Sequence, residues 1–177
     1  MLQFFSYLIN GISLGSVYAI IALGYSMVYG IAKMLNFAHG DVIMIGAYIA
    51  FCATQYWGMS PLLGVLIAMI VCTVLGMVIE RLAYKPLRQA TSLAVLITAI
   101  GVSYLLQNVA LYATGGQPQT YPSLPFVSGT VTILGASTHW VTVITPVLVI
   151  VLVLLLQWLI NHTKIGMAMR AVAKDFE

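Results

Sequence analysis

Long apolar runs separated by short polar segments set the plan of this chain. The first run, Phe4–Ala32, precedes every charged side chain; Lys33 is the first. It exceeds the roughly 20 apolar residues that a helix needs to cross a bilayer. The second run, Asp41–Tyr56, spans only about 24 Å as a helix at 1.5 Å per residue. The preceding Leu35–Gly40 is expected to lengthen it as non-helical backbone. Leu62–Leu82 forms the third span and carries Glu80-Arg81 at its end, and Ser92–Ala113 forms the fourth. Trp140–Ile160 forms the fifth, with Pro146 placed to kink or bound it.

The segments between the runs carry the turn chemistry. Trp57-Gly58-Met59-Ser60-Pro61 reads as a turn with an interfacial aromatic. Tyr84–Thr91, with Lys85, Pro86 and Arg88, reads as a loop. Thr114–His139 is rich in Gly, Pro, Ser and Thr, and its Thr130-Val131-Thr132-Ile133 alternation fits a short strand or an extended loop. Asn161–Glu177 is polar, yet Ile165–Val172 within it patterns as a short amphipathic helix. The pattern predicts an all-α fold: a polytopic transmembrane helical bundle of about five spans. It forms one domain over residues 1–177, with a broken or re-entrant segment near residues 35–41.

Composition agrees. The chain has 177 residues, of which 62% are hydrophobic and 6% charged, against about 25% charged in a soluble domain. Its mean hydropathy is +1.04, which makes the lipid bilayer its surroundings. A net charge of +3, dispersed along the chain, excludes nucleic acid as a partner. Cys52 and Cys72 lie inside apolar runs without metal-type spacing and read as packing residues. Gly11 and Gly15 form a GxxxG spacing, which also reads as helix packing. The N-terminus lacks a basic leader, and its apolar run exceeds the roughly 7–15 residues of a signal peptide, so insertion is expected through the first retained helix.

Positive charge orients the spans. Arg81, Lys85 and Arg88 flank one loop, and Lys164, Arg170 and Lys174 follow the fifth span. Both segments are expected in the cytoplasm, with Trp57–Pro61 and Thr114–His139 outside. Lys33 joins the cytoplasmic side by alternation, which places the N-terminus outside. A re-entrant Leu35–Tyr56 would place it inside.

Candidate chemistry concentrates in Leu35–Tyr48, LNFAHGDVIMIGAY, where Asn36, His39 and Asp41 surround Gly40. Polar and ionisable groups are costly at membrane depth and mark functional positions. Gly40 sits where a helix would break, and a broken helix persists there only when it lines protein or a cavity. Asp41 reads either as an N-cap, which also complements the helix dipole, or as a residue lining a translocation route; the two are compatible. Asn36 and His39 are better suited to hold the break by hydrogen bonds to neighbouring helices than to touch substrate. His39, His139 and His162 are too far apart in sequence to suggest a metal site. The chain has no GxxxxGKS, GxSxG or HExxH motif, so neither an ATPase nor another enzyme is indicated, and no cofactor is expected. The tail carries small residues at Gly166, Ala168, Ala171 and Ala173. It reads equally as an interfacial helix and as a knob that docks into another protein.

Three blocks then resemble one family. Gly11–Tyr48 (GISLGSVYAIIALGYSMVYGIAKMLNFAHGDVIMIGAY) is similar to the opening of the LivH-type branched-chain amino acid ABC transporter permease. Ile79–Arg88 (IERLAYKPLR) with Leu96–Asn108 (LITAIGVSYLLQN) resembles the next blocks of that family, and Thr163–Asp175 (TKIGMAMRAVAKD) resembles its coupling segment. The resemblance implies a subunit of a bacterial importer in the inner (plasma) membrane. Its partners would be a second homologous permease, two cytoplasmic ATPase subunits and a periplasmic substrate-binding protein. It implies that residues 162–177 form a cytoplasmic coupling segment, with Gly166, Met169, Arg170, Ala171 and Asp175 facing the ATPase. It implies that Asn36, Phe37, His39, Gly40 and Asp41 help shape the translocation route. Two departures stand out. The family more often has Glu where this chain has Asp41. Family members also continue with several more spans beyond the position of Glu177, so the chain is expected to be an N-terminal fragment or a truncated product.

Substrate choice in such systems rests largely with the binding protein, and related permeases carry urea, short amides or other amino acids. A competing class is an ion-coupled secondary transporter or channel, which needs ionisable residues in the membrane; Asp41 and the interfacial Glu80 are what the chain offers. A purely structural membrane subunit is the third reading.

Overall fold

A computed structural model describes residues 2–32, 35–87, 89–121, 129–133 and 136–174. Lys33, Arg88, Asp175 and Glu177, on which parts of the charge and coupling arguments rest, lie outside the described residues. In chain order the helices are α1 (Leu2–Ala32), α2 (His39–Gln55), α3 (Pro61–Ile79), α4 (Ser92–Thr114), α5 (Trp140–His162) and α6 (Lys164–Lys174). A hairpin of β1 (Thr130–Ile133) and β2 (Ala136–His139) precedes α5. The fold is an all-α polytopic one. Among the described residues α1, α3 with its continuation, α4 and α5 are long and apolar enough to cross a membrane. At 17 residues α2 is shorter.

One expectation needs correction. The third span does not give way to a loop at Tyr84. Its helix continues through a π-helical turn at Glu80–Tyr84 and a 3₁₀ turn at Lys85–Leu87. The Lys85 N–H bonds back to the Glu80 carbonyl, five residues earlier, which keeps the backbone satisfied past the charged Glu80-Arg81 pair. Pro146, placed to kink or bound the fifth span, lies inside α5.

The chain forms two compact units, one built from Met1–Lys33 with Ser123–Glu177, the other from Met34–Pro122. In the first, α1 packs along α5 and also meets α6 and β2. The hairpin is antiparallel, with Thr130 opposite His139 and Ile133 opposite Ala136. The Trp140 N–H donates to the Gly129 carbonyl at 3.0 Å and ties the start of α5 to the entry of β1. Gly11 and Gly15 are exposed, and a Cβ at either would meet no atom within 4 Å. The GxxxG spacing therefore packs against nothing among the described residues. The half-buried face of α1 runs instead through Ile9, Ser13, Ser16, Ile20 and Met27.

Close helix packing occurs in the second unit, between α2 and α3. A Cβ on Gly46 would stand 2.8 Å from Cys72 Sγ, and one on Gly64 would stand 3.3 Å from the Ala50 carbonyl. Ala50, Ala53 and Ala68 are buried along the same seam. Small residues at helical spacing let two backbones approach where lipid supplies no hydrophobic drive. Cys72 Sγ also donates to the Val42 carbonyl at 3.5 Å. Gly58, at φ 61°, turns the chain between the two helices. Pro61 then opens α3, where its missing N–H costs nothing. The core gathers Ala38, Ile79, Tyr84, Val95, Ala99 and Leu106 from the segment before α2, the end of α3 with its continuation, and α4. Thr91 caps α4 by accepting from the Ala94 N–H, and left-handed Gly115 ends it.

Candidate functional site

The helical interruption lies at Leu35–Ala38, just before α2. Asn36 builds it. Its Oδ1 accepts the Ala38 N–H at 3.1 Å, an Asx-type turn, and its carbonyl accepts the His39 N–H at 3.2 Å. The same Oδ1 accepts the Tyr84 hydroxyl at 3.0 Å, from the π-helical turn. Ala38 is fully buried beneath these bonds. The irregular backbone is thus held by Asn36's own side chain, which Tyr84 in turn fixes.

Gly40 does not make the break. It lies in the first turn of α2, outside the left-handed region, with open space where a Cβ would go. Asn36 instead holds the turn before α2, accepting from the Ala38 and His39 N–H groups. Phe37 is exposed and His39 half-buried.

Asp41 is not the cap either. Ala38 occupies the N-cap position of α2, and no side chain caps that end. Asp41 is instead buried, 8% exposed, and turned toward α4. Its Oδ2 accepts from Ser103 Oγ at 2.5 Å and its Oδ1 from Gln107 Nε2 at 3.0 Å. Gln107 Nε2 also donates to Ser103 Oγ at 3.1 Å, closing a triangle. The two donors on α4 occupy both carboxylate oxygens, and bonds to an ionised acceptor are roughly twice as strong as neutral ones. The carboxylate still lies in the first turn of α2, where the helix dipole favours negative charge.

Ser103 and Gln107 were not singled out in the sequence, although both fall in Leu96–Asn108. A signal was present: two polar side chains at i and i+4 put hydrogen-bonding groups on one face of an apolar helix. Among the described residues no three His, Cys, Asp or Glu side chains gather to hold a metal. The cluster is a carboxylate, a hydroxyl and an amide at membrane depth. It can fix α2 against α4 and present polar groups to a small solute.

The tail segment has its own geometry. Thr163 separates α5 from α6 and serves both. Its Oγ1 donates to the Leu159 carbonyl at 2.6 Å and accepts the Gly166 N–H at 3.1 Å, while its carbonyl accepts the Met167 N–H at 3.0 Å. Gly166 is buried, and a Cβ there would run into the backbone of Ile160. Its smallness is spent inside the chain, seating α6 on α5. Arg170 Nη2 donates to the Asn161 carbonyl at 3.4 Å. Met169 is half-buried and Ala171 exposed. Ile165, Met167 and Val172 are exposed apolar side chains on α6.

A multi-pass helical membrane protein with a buried carboxylate beside an interrupted helix has the parts of a solute permease. Residues 7–177 match the family described as branched-chain amino acid transport system / permease component, and the chain belongs to that family. It is similar to BraD, a high-affinity branched-chain amino acid transport system permease protein of Pseudomonas aeruginosa. The two are 39% identical over 181 residues, which cover 96% of this chain and 59% of that relative. It is similar to LivH of Salmonella typhimurium at 38% and to LivH of Escherichia coli K12 at 37%, each over 187 residues, 99% of this chain and 61% of the relative. The chain therefore spans about three fifths of the length of these curated relatives. No solved structure matches it.

Proposed function

We propose that this chain is part of the membrane-spanning permease subunit of an ABC importer that moves branched-chain amino acids across the bacterial inner membrane. Two cytoplasmic ATPase subunits power it, a periplasmic binding protein delivers the solute, and a second homologous permease completes the route. The observation that carries the reading is the buried Asp41, held by Ser103 and Gln107 beside the interruption at Asn36, in a chain of this family. Transporters build midplane sites from helix interruptions, because freed backbone groups and helix ends supply polarity where lipid supplies none. In this reading the Asn36–Asp41 segment borders the route. Asp41 and Asn36 act chiefly by fixing its wall, since both Asp41 oxygens and the Asn36 Oδ1 are engaged by neighbours.

The second half of the reading concerns α6 as the coupling helix. Its outward Ile165, Met167 and Val172 offer apolar contact to an ATPase, and Arg170 and Ala171 flank them on the exposed surface. Gly166 contributes by setting the angle of α6 on α5. Asp175 lies outside the described residues.

Reconstitution tests the proposal. The native permease, its pair, the ATPases and the binding protein are assembled in proteoliposomes with radiolabelled leucine, urea and acetamide. ATP-dependent uptake of leucine, abolished by an inactive ATPase, is expected. Uptake driven by a proton or sodium gradient without ATP would overturn the reading in favour of a secondary transporter. ATP-driven uptake of urea or acetamide alone would move the substrate class to amides.

A further inference from the structure

An open cleft of about 360 Å³ runs between α1 and α5. Its wall is apolar over Leu23, Met27, Val153, Leu156 and Ile160, and polar only at Ser26, Gln157 and Asn161. On α5 the lining runs Val153, Leu156, Gln157, Ile160 and Asn161, so both of its polar groups fall in the later half. Along α6 the charged side chains, Lys164, Arg170 and Lys174, are all cationic; Asp175 and Glu177 follow it, outside the described residues. Arg170 places its guanidinium on the Asn161 carbonyl, so a cation stands at the rim. Lys164 opens α6 and Lys174 closes it, both exposed. Neither α1, α5 nor α6 carries a carboxylate side chain.

We infer that this cleft is a binding site for an anionic phospholipid, with one acyl chain lying between α1 and α5 and the phosphate held at Arg170 and Lys164. The argument is charge complementarity at one end of an apolar groove. A hydrocarbon chain fits an apolar wall, whereas a water-soluble anion would leave that wall unpaired. A zwitterionic headgroup would bring an ammonium into a rim that is already cationic. Guanidinium forks grip phosphate oxygens with two parallel donors, and basic pockets between helices at a membrane surface select anionic headgroups in this way. The site is independent of the solute transported, since none of its residues lies in the Asn36–Asp41 segment or in α4.

The native protein, purified from its membrane in mild detergent, is passed through vesicles of phosphatidylethanolamine with and without phosphatidylglycerol. Retained lipid is identified by native mass spectrometry. Retention of phosphatidylglycerol in preference to phosphatidylethanolamine is expected. Arg170→Gln and Lys164→Gln should each reduce that retention about fivefold, the effect of one basic residue at an anionic surface, and Arg170→Lys should restore most of it. Leu156→Trp, which fills the groove, should lower retention while all cations remain. A phosphatidylglycerol with a photoreactive acyl chain should label Leu23, Met27 or Leu156 of the wild-type protein, which keeps the test informative if a variant misfolds. Equal retention of both lipids, indifference to the charge variants, or occupation of the cleft by another polypeptide segment in place of lipid would each overturn the assignment.

Discussion

Ser103 Oγ and Asp41 Oδ2, separated by 62 positions in sequence, lie 2.5 Å apart and join α4 to α2. With Gln107 on the other oxygen, the Asp41 carboxylate works as a clamp between two helices. Interhelical hydrogen bonds in membranes average about 0.6 kcal/mol, and bonds to a charged group about 1.5–3 kcal/mol. Asp41→Leu should therefore cost about 2–4 kcal/mol of stability by these figures. Asp41→Asn, which still accepts from Gln107, should cost less. Uptake in the reconstituted importer should fall in the order Asp41, Asp41→Glu, Asp41→Asn, Asp41→Leu. Thermal unfolding in detergent and initial uptake rates are the measurements. Wild-type stability and uptake in Asp41→Leu would remove the clamp.

Tyr84→Phe should loosen the interruption before α2. It deletes the donor to Asn36 Oδ1 but leaves the Ala38 N–H bond in place. A loss of about 1 kcal/mol is expected. Hydrogen exchange should quicken at Ala38 and His39 while α5 is unaffected. Asn36→Ala removes both bonds and should do more. An unchanged exchange pattern in Tyr84→Phe would mean that the turn does not depend on the π-helical segment.

The α2–α3 seam makes a compensation test possible. Gly46→Ala brings a methyl against Cys72 Sγ, and overpacking of this kind costs about 1–3 kcal/mol. Cys72→Gly vacates the space. The double variant should be more stable than the sum of the single effects predicts, read from a double-mutant cycle of unfolding free energies. Strict additivity would mean that the helices shift apart freely.

Gly166→Ala should disrupt the corner between α5 and α6, because the obstruction is the Ile160 backbone and not the end of a flexible side chain. Thr163→Ala should cost about 1 kcal/mol as the loss of a helix cap. In the reconstituted importer both variants should lower uptake per ATP hydrolysed, with permease insertion unchanged. Normal coupling in both would separate the corner from energy transfer.

Orientation is tested by impermeant thiol labelling in a background lacking Cys52 and Cys72. A cysteine at Gln119 should react from outside intact cells, and one at Gln89 only after the membrane is opened. Both positions are exposed. Outside labelling of residue 89 would invert the topology.

The spans were legible because Gly, Pro and charge punctuate the apolar runs. Ser92–Ala113 and Trp140–Ile160 fall within two residues of the helices observed, and the Ile165–Val172 pattern sits inside α6. The end of the third span was misread because a charged pair marks where side chains reach water, and the backbone remains helical beyond it. The position of Asp41 was plain, yet its partners were not. An acidic residue in a first turn has backbone donors beside it in every helix, and only packing brings Ser103 and Gln107 close enough to compete. Gly166 was legible as a site of close approach. The sequence does not say whether such an approach is to another protein or, as here, to the preceding helix.

The bend at Thr163 has a mechanical consequence. Gly166 leaves α6 no clearance over Ile160, Thr163 bonds to both helices, and Arg170 stays the far side on Asn161. In the proposed coupling role, this joint passes motion of α6 on to α5. A push on α6 swings α5, whose 23 residues make an arm of about 35 Å, so a rotation of about 5° carries the far end by about 3 Å.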